Sequence, residues 1–286
     1  MPQRVTTQLM PPGFIDLHAH GQDLVSNQFQ AADGVTTALD LEIGIYPIDE
    51  WYQSRQGKAL INYGRSVAHP WVRAVALNAT EEEAIITAAK KVLTDSEKKK
   101  MLALLRQGIK DGALGISVGI AYTPAADSEE IFNLFELAAE LDRPIFVHMR
   151  NSNMTSGDLL APLQELLSNA VATGAALHMV HLNSSLADKA KVGLDMIRRL
   201  QKKGFDITMK NWLYTATAGS TRLESALFDD WTDYAELQWI ATGERLTETS
   251  FKKYRQQGGW VIIHNLWSIG RDERLVGRAT KSYYCQ

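Results

Sequence analysis

The chain has 286 residues, a length that suits two average domains or one large α/β barrel. Hydrophobic residues make up 45% and charged residues 22%, which excludes a disordered chain and allows a sizeable core. The net charge of −3 excludes the basic field that nucleic-acid binding draws on, and the single cysteine, Cys285, excludes an internal disulfide.

Taken in chain order, short apolar runs predict strands at Gly13–His18, Thr36–Glu42, Trp71–Leu77, Ala113–Ser117, Pro144–His148, Ala176–His181 and Phe205–Met209. The segments between them read as helices. Thr80-x-x-Glu83 and Thr94-x-x-Glu97 have the form of capping boxes that start two of them, and Asp127-x-x-Glu130 starts a third. A fourth helix spans Asp158 to Thr173 with Gly174 just past its end, and a fifth spans Leu186 to Lys203 and stops at Gly204. From Asn211 to Thr242 the rhythm gives way to an aromatic, Thr- and Ser-rich stretch that suits a loop or small subdomain over one face. A helix at Thr247–Gln257 and a strand at Trp260–His264 follow. No run reaches the ~18 apolar residues of a membrane span, and the first fourteen residues hold no apolar signal-peptide core, so a soluble, cytoplasmic protein without membrane or nucleic-acid partners is expected.

Strands alternating with helices predict a parallel sheet covered by helices. The turn after the first strand reads His18-Ala19-His20-Gly21 rather than a Gly-rich dinucleotide fingerprint, which argues against a Rossmann sheet. The prediction is α/β: a (β/α)8 TIM-type barrel forming a single domain over 1–286, with an insertion at about 211–257 and an atypical tail at 265–286.

In such a barrel, reactive groups sit at the C-terminal ends of strands. His18 and His20 close the first strand, His148 the fifth and His181 the sixth, while Glu42 adds a carboxylate at the end of the second. Imidazoles from several strand ends facing one mouth suit a Zn²⁺-type ion, and a carboxylate can bridge a pair of ions. His178 lies three residues before His181 and is read as structural, pointing to the opposite face. His69, before Pro70 and ahead of the third strand, is read as a surface or packing residue at the wrong end of the barrel, and His264 as structural. Asp16 is either an orienter of the histidines or a buried, hydrogen-bonded carboxylate.

Pro12-Gly13-Phe14-Ile15-Asp16-Leu17-His18-Ala19-His20 resembles the opening of the amidohydrolase superfamily, and Gly34-Val35-Thr36-Thr37 is similar to its second strand. The run Gly112 to Pro124, then Val147-His148-Met149-Arg150, then Tyr214-Thr215 with Thr217 to Thr221, resembles the N-acyl-D-amino-acid deacylase (D-aminoacylase) branch. The resemblance implies a metal-dependent hydrolase of a non-peptide C–N bond, its substrate a small molecule with an amide and a carboxylate, such as an N-acyl-D-amino acid. It implies one or two divalent ions, usually zinc, with His18 and His20 as the first ligand pair and His148 and His181 as the second. Arg150 would clamp the substrate carboxylate, and Tyr122, Tyr214 and Ser220 would donate hydroxyls. A cyclic-amide hydrolase or deaminase of the dihydroorotase kind, and a barrel that binds metal without turnover, are the alternatives.

The chain departs from that branch in three places. Glu42 stands near the spot where D-aminoacylases use a cysteine ligand. The segment 208–217 lacks the branch's Tyr-Pro-Tyr core. The tail from Asn265 carries four cationic residues and no strand-ending aspartate of the kind that serves the superfamily as acid/base at the eighth strand, so no catalytic acid/base is assigned. The expectation is an incomplete barrel, a truncated or frame-shifted product missing the eighth strand and the flanking β-sandwich.

Overall fold

The computed structural model of the protein describes residues 12–150, 158–186, 189–210, 219–225 and 228–264. In chain order it builds β1 (Phe14–Asp16), α1 (Leu24–Ala32), β2 (Val35–Ile45), α2 (Ile48–Arg55), β3 (Asn62–Ala68), α3 (His69–Ala76), α4 (Ala84–Lys90), α5 (Asp95–Lys110), β4 (Ile116–Gly119), α6 (Ser128–Glu140), β5 (Ile145–His148), α7 (Leu160–Thr173), β6 (Leu177–Met179), α8 (Leu182–Leu186), α9 (Ala190–Lys202) and β7 (Ile207–Met209). Among the described residues, β1 to β7 lie side by side in chain order as one parallel sheet. Each parallel neighbour needs a crossover, which the helices supply, and the result is the wall of a TIM-type α/β barrel.

The main core lies between the sheet and these helices. Val67, Ile116, Val118, Ile145, Val147, Leu177, Met179 and Ile207 meet Leu105, Ile131, Leu134, Phe135, Leu163, Leu166 and Ile197, all buried. Their near-continuous apolar strands are what a sheet covered by helices requires. No helix among the described residues is long and apolar enough to cross a membrane.

Local chemistry sets several boundaries. Thr94 accepts from the Glu97 backbone N–H while the Glu97 carboxylate accepts from Thr94 N, a closed capping box that starts α5. Asp127 caps α6 by accepting from Glu130 N at 2.7 Å. Gly174 ends α7 in the left-handed region, at φ +77°. Thr80 and Glu83 differ from expectation. Thr80 Oγ1 donates to the Glu83 carboxylate rather than capping backbone groups, and α4 begins only at Ala84. Of the helix expected over Leu186–Lys203, Ala190–Lys202 forms α9, and Leu186 is the last residue of α8.

The third strand is a correction. Trp71–Leu77 lies in α3 except for Leu77, its C-cap, and the strand is β3, nine residues upstream. Trp-Val-Arg-Ala-Val-Ala imitates strand alternation, but Pro70 is preorganised for a first helical turn. His69, Val72, Arg73 and Ala76 are buried at the spacing of one helix face, and Ala74 is buried beside them. β3 is masked in sequence by Arg65 and Ser66, which pair across the strand with Asp40 and with the Leu41 carbonyl. The correction also moves His69. It directly follows β3, so it sits at the C-terminal end, and it is fully buried rather than on the surface. Its Nε2 lies 2.7 Å from Glu130 Oε1, the oxygen that also accepts from Arg73 Nε at 2.8 Å.

Residues beyond β7 form a second sheet of β8 (Gly219–Arg222), β9 (Leu237–Trp239) and, after α10 (Glu248–Gln257), β10 (Trp260–Ile263). It is antiparallel in the order β8-β10-β9. It has its own core of Leu223, Phe228, Trp231, Leu237, Trp239, Leu246, Phe251, Val261 and Ile263. Tyr122, in the short 3₁₀ turn Ile120–Tyr122 after β4, packs against this second core.

Candidate metal centre

The site grows out of an arch in β2. Its register with β3 runs through Asp40↔Arg65 and resumes only at Ile45↔Val67, so β2 carries residues that β3 does not match. Glu42 sits in this arch rather than at a strand end, and an irregularity of this kind re-aims a side chain. Three bonds pin it: Ser66 Oγ donates to Leu41 O at 2.9 Å, Ser117 Oγ to Ile43 O at 3.0 Å, and Ile43 N to Asp40 Oδ1 at 3.3 Å. Gly44 lets the chain pass at φ +67°. A Cβ there would stand 2.6 Å from Ser66 O, so no other residue fits without displacement.

The histidines arrive by separate routes. His18 follows β1, its backbone N–H donating to Asp16 Oδ1 at 2.9 Å, so Asp16 fixes the turn rather than the ring. His148 is the last residue of β5, opposite Gly119 of β4, where a Cβ would crowd the Tyr122 ring at 2.9 Å. His181 has φ +53°, and this left-handed turn after β6 explains how a residue three past His178 still reaches the mouth.

All four imidazoles expected from the sequence converge on Glu42. Its Oε2 lies 2.7 Å from His18 Nε2 and 3.3 Å from His20 Nε2. Its Oε1 lies 2.7 Å from His148 Nδ1 and 3.1 Å from His181 Nε2. Neighbouring rings meet edge to face, with centroids 4.5 Å apart for His18 and His20, 4.7 Å for His18 and His181, and 5.2 Å for His148 and His181. His18, Glu42 and His181 each offer one ligand atom within 4.8 Å of the others.

Burial and charge pull these groups apart. Burial alone would raise the Glu42 carboxyl, but the bonds to His148, His18, His181 and His20 outweigh it and hold the group well below the usual carboxylate range. Burial lowers His181 to about 4 against the pull of Glu42, and it lowers His18 as well. Burial also lowers His20, yet bonds to Asp40 and Glu42 prevail and lift it to about 9. At neutral pH the centre is a carboxylate with two imidazoles kept neutral, the form in which a histidine ligates a metal.

The remaining expected residues fall around this cluster. Tyr122 stacks edge to face on His148, with centroids 5.1 Å apart. Arg150, two residues past His148, turns to α7 instead, where Nε and Nη2 meet the two Glu165 oxygens at 3.1 and 3.2 Å. Ser220 lies in β8, in register with Ile262. Tyr214 and the tail from Asn265 lie outside the described residues. His178 bonds to Thr208 Oγ1 through Nδ1 at 2.8 Å, and His264 to Gln238 Oε1 through Nε2. Sequence reasoning missed Asp40, whose Oδ1 is 3.3 Å from His20 Nδ1, and its partner Arg65. The signal for Asp40 was its place two residues before Glu42 in the same strand.

No family model and no curated protein matches the chain. Solved structures do match. N-acyl-D-glutamate deacylase from Bordetella bronchiseptica, complexed with zinc and a phosphonate that mimics the tetrahedral intermediate, aligns with TM-score 0.71 and 20% identity over 90% of this chain and 62% of that one. A D-aminoacylase that defined a novel subset of amidohydrolases aligns with TM-score 0.66 and 20% identity over 88% of this chain and 60% of that one. A D-aminoacylase variant in complex with copper(II) chloride gives TM-score 0.68 at the same identity and coverage. The chain has the barrel fold of these amidohydrolase-superfamily enzymes. It spans about three fifths of their length.

Proposed function

We propose that the chain carries the metal-binding barrel of an amide hydrolase, and that its substrate is an N-acyl amino acid of the D series. One observation carries the metal reading: each oxygen of Glu42 is shared by a different pair of imidazoles, Oε2 by His18 and His20, Oε1 by His148 and His181. Glu42 would then help hold one cation with His18 and His20 and a second with His148 and His181. The donor set fits a borderline divalent ion such as zinc, because imidazole nitrogen and carboxylate oxygen suit it. The chemistry such ions supply is polarisation of the amide carbonyl and acidification of a water to near neutral pH.

The chain's own residues then hold and shape the centre. Glu42 ties both pairs together, while His18 and His148, both nearly buried, fix its depth. The Tyr122 ring walls His148 and packs against the second core, and its hydroxyl is proposed to donate to substrate. Arg150 holds its fork toward Glu165, and a substrate carboxylate exchanging with Glu165 would meet the same bidentate geometry. Tyr214 and Ser220 are proposed as further hydroxyl donors. The zinc and phosphonate bound by the N-acyl-D-glutamate deacylase of the same fold support this class of substrate.

The test is the purified chain, stripped of metal, reloaded with zinc and offered N-acyl-D-amino acids, their L enantiomers and cyclic amides. Release of free D-amino acid that depends on metal is the expected result, with kcat/KM reduced by Arg150→Ala only for substrates that keep their carboxylate. Turnover of cyclic amides alone, or no turnover by a zinc-loaded chain, contradicts it.

A further inference from the structure

The four imidazoles are not held equally. The side chains of His18, His148 and His181 are 4%, 9% and 14% exposed, so packing fixes their rings, whereas His20 is 43% exposed. Something other than packing has to aim it. Asp40 is in position to do so. It is 1% exposed, and each of its oxygens has a defined partner: Oδ2 meets Arg65 Nη2 at 3.0 Å, and Oδ1 accepts from Ile43 N and lies 3.3 Å from His20 Nδ1. Arg65 is the residue opposite Asp40 in the β2–β3 register, and its guanidinium lies over the Trp51 ring at 4.9 Å. A buried carboxylate is tolerated when it is paired, and Arg65 supplies the pairing while leaving Oδ1 to the ring. An acceptor at Nδ1 holds a proton on that nitrogen, so Nε2, which lies 3.3 Å from Glu42 Oε2, is the nitrogen left to face an ion once its own proton is released.

We propose that Asp40, held by Arg65, is the positioning residue that aims His20, and that this pair sets the metal affinity of the His18–His20 position. The proposal rests on the metal reading above and adds residues outside the ligand set. A histidine ligand braced by a carboxylate through its other nitrogen loses about 10- to 100-fold in metal affinity when the brace is removed.

The experiment is zinc titration of the metal-free chain against a chromophoric chelator, with the visible absorption of the cobalt(II)-loaded chain as a second readout. Asp40→Asn is expected to weaken one zinc position about 10- to 100-fold and to change the cobalt spectrum, with the second position unaffected. Because Asp40→Asn leaves Arg65 without its counter-charge, Asp40→Asn combined with Arg65→Gln removes both charges and carries the same expectation if the single variant does not fold. Glu130→Gln, a substitution at another buried carboxylate that contacts a histidine, is expected to leave both readouts unchanged. Wild-type affinity and spectrum in a folded Asp40 variant overturn this proposal alone. A wild-type chain that takes up no zinc overturns the metal reading and this inference together.

Discussion

Glu42 carries one negative charge among four imidazoles, and burial decides how that charge is shared. His20, the exposed ring, is lifted to about 9, while buried His181 is lowered to about 4. The same rule governs His178, away from Glu42, which burial lowers from 6.5 to about 4. Its neutral form is favoured in the fold, so the stability at stake is present above pH 6.5, declines as the pH falls and is gone below about 4. Between pH 7 and pH 5 this group is expected to cost about 2 kcal/mol of unfolding free energy. His178→Gln, which can still bond Thr208, is expected to lose that much less than wild type over the same interval in urea unfolding. Equal losses would mean that His178 is protonated in the fold with its ordinary pKa.

The strands and their irregular ends do the positioning. Gly44→Ala adds a Cβ against Ser66 O at a positive φ, and is expected to cost at least about 1–2 kcal/mol in stability and to weaken zinc uptake by moving the arch that carries Glu42. Wild-type values for both measurements would show that the arch tolerates a side chain there. The clamp between α3 and α6 gives the opposite pattern. Glu130→Ala leaves Arg73 buried without its counter-charge, which is expected to cost about 3–5 kcal/mol in thermal or urea unfolding with zinc stoichiometry unchanged. Much of this architecture was legible in the sequence. Six of the seven sheet strands and the caps at Thr94 and Asp127 follow from apolar runs and capping chemistry, and four strand-end histidines with Glu42 marked the mouth. What was hidden depended on pairing across the sheet. β3 reads as polar until Arg65 is matched with Asp40, and α3 reads as a strand until Pro70 and its helical face are seen packed. The left-handed turn at His181 and the arch at Glu42 are backbone events that no side-chain pattern announces.

At the scale of the molecule, a barrel wall supplies a rigid frame and a second, antiparallel sheet meets it at Tyr122, one ring away from His148. Function in such a frame belongs to the groups at the strand ends rather than to the fold, which hosts many chemistries. The central claim is therefore the metal centre itself. Its most direct test is elemental analysis of the purified chain after equilibration with zinc, beside Glu42→Gln. One to two zinc ions per wild-type chain, with at least one lost in the variant, is the predicted result. A wild-type chain that holds no stoichiometric zinc, or a Glu42→Gln chain that holds as much as wild type, would contradict it.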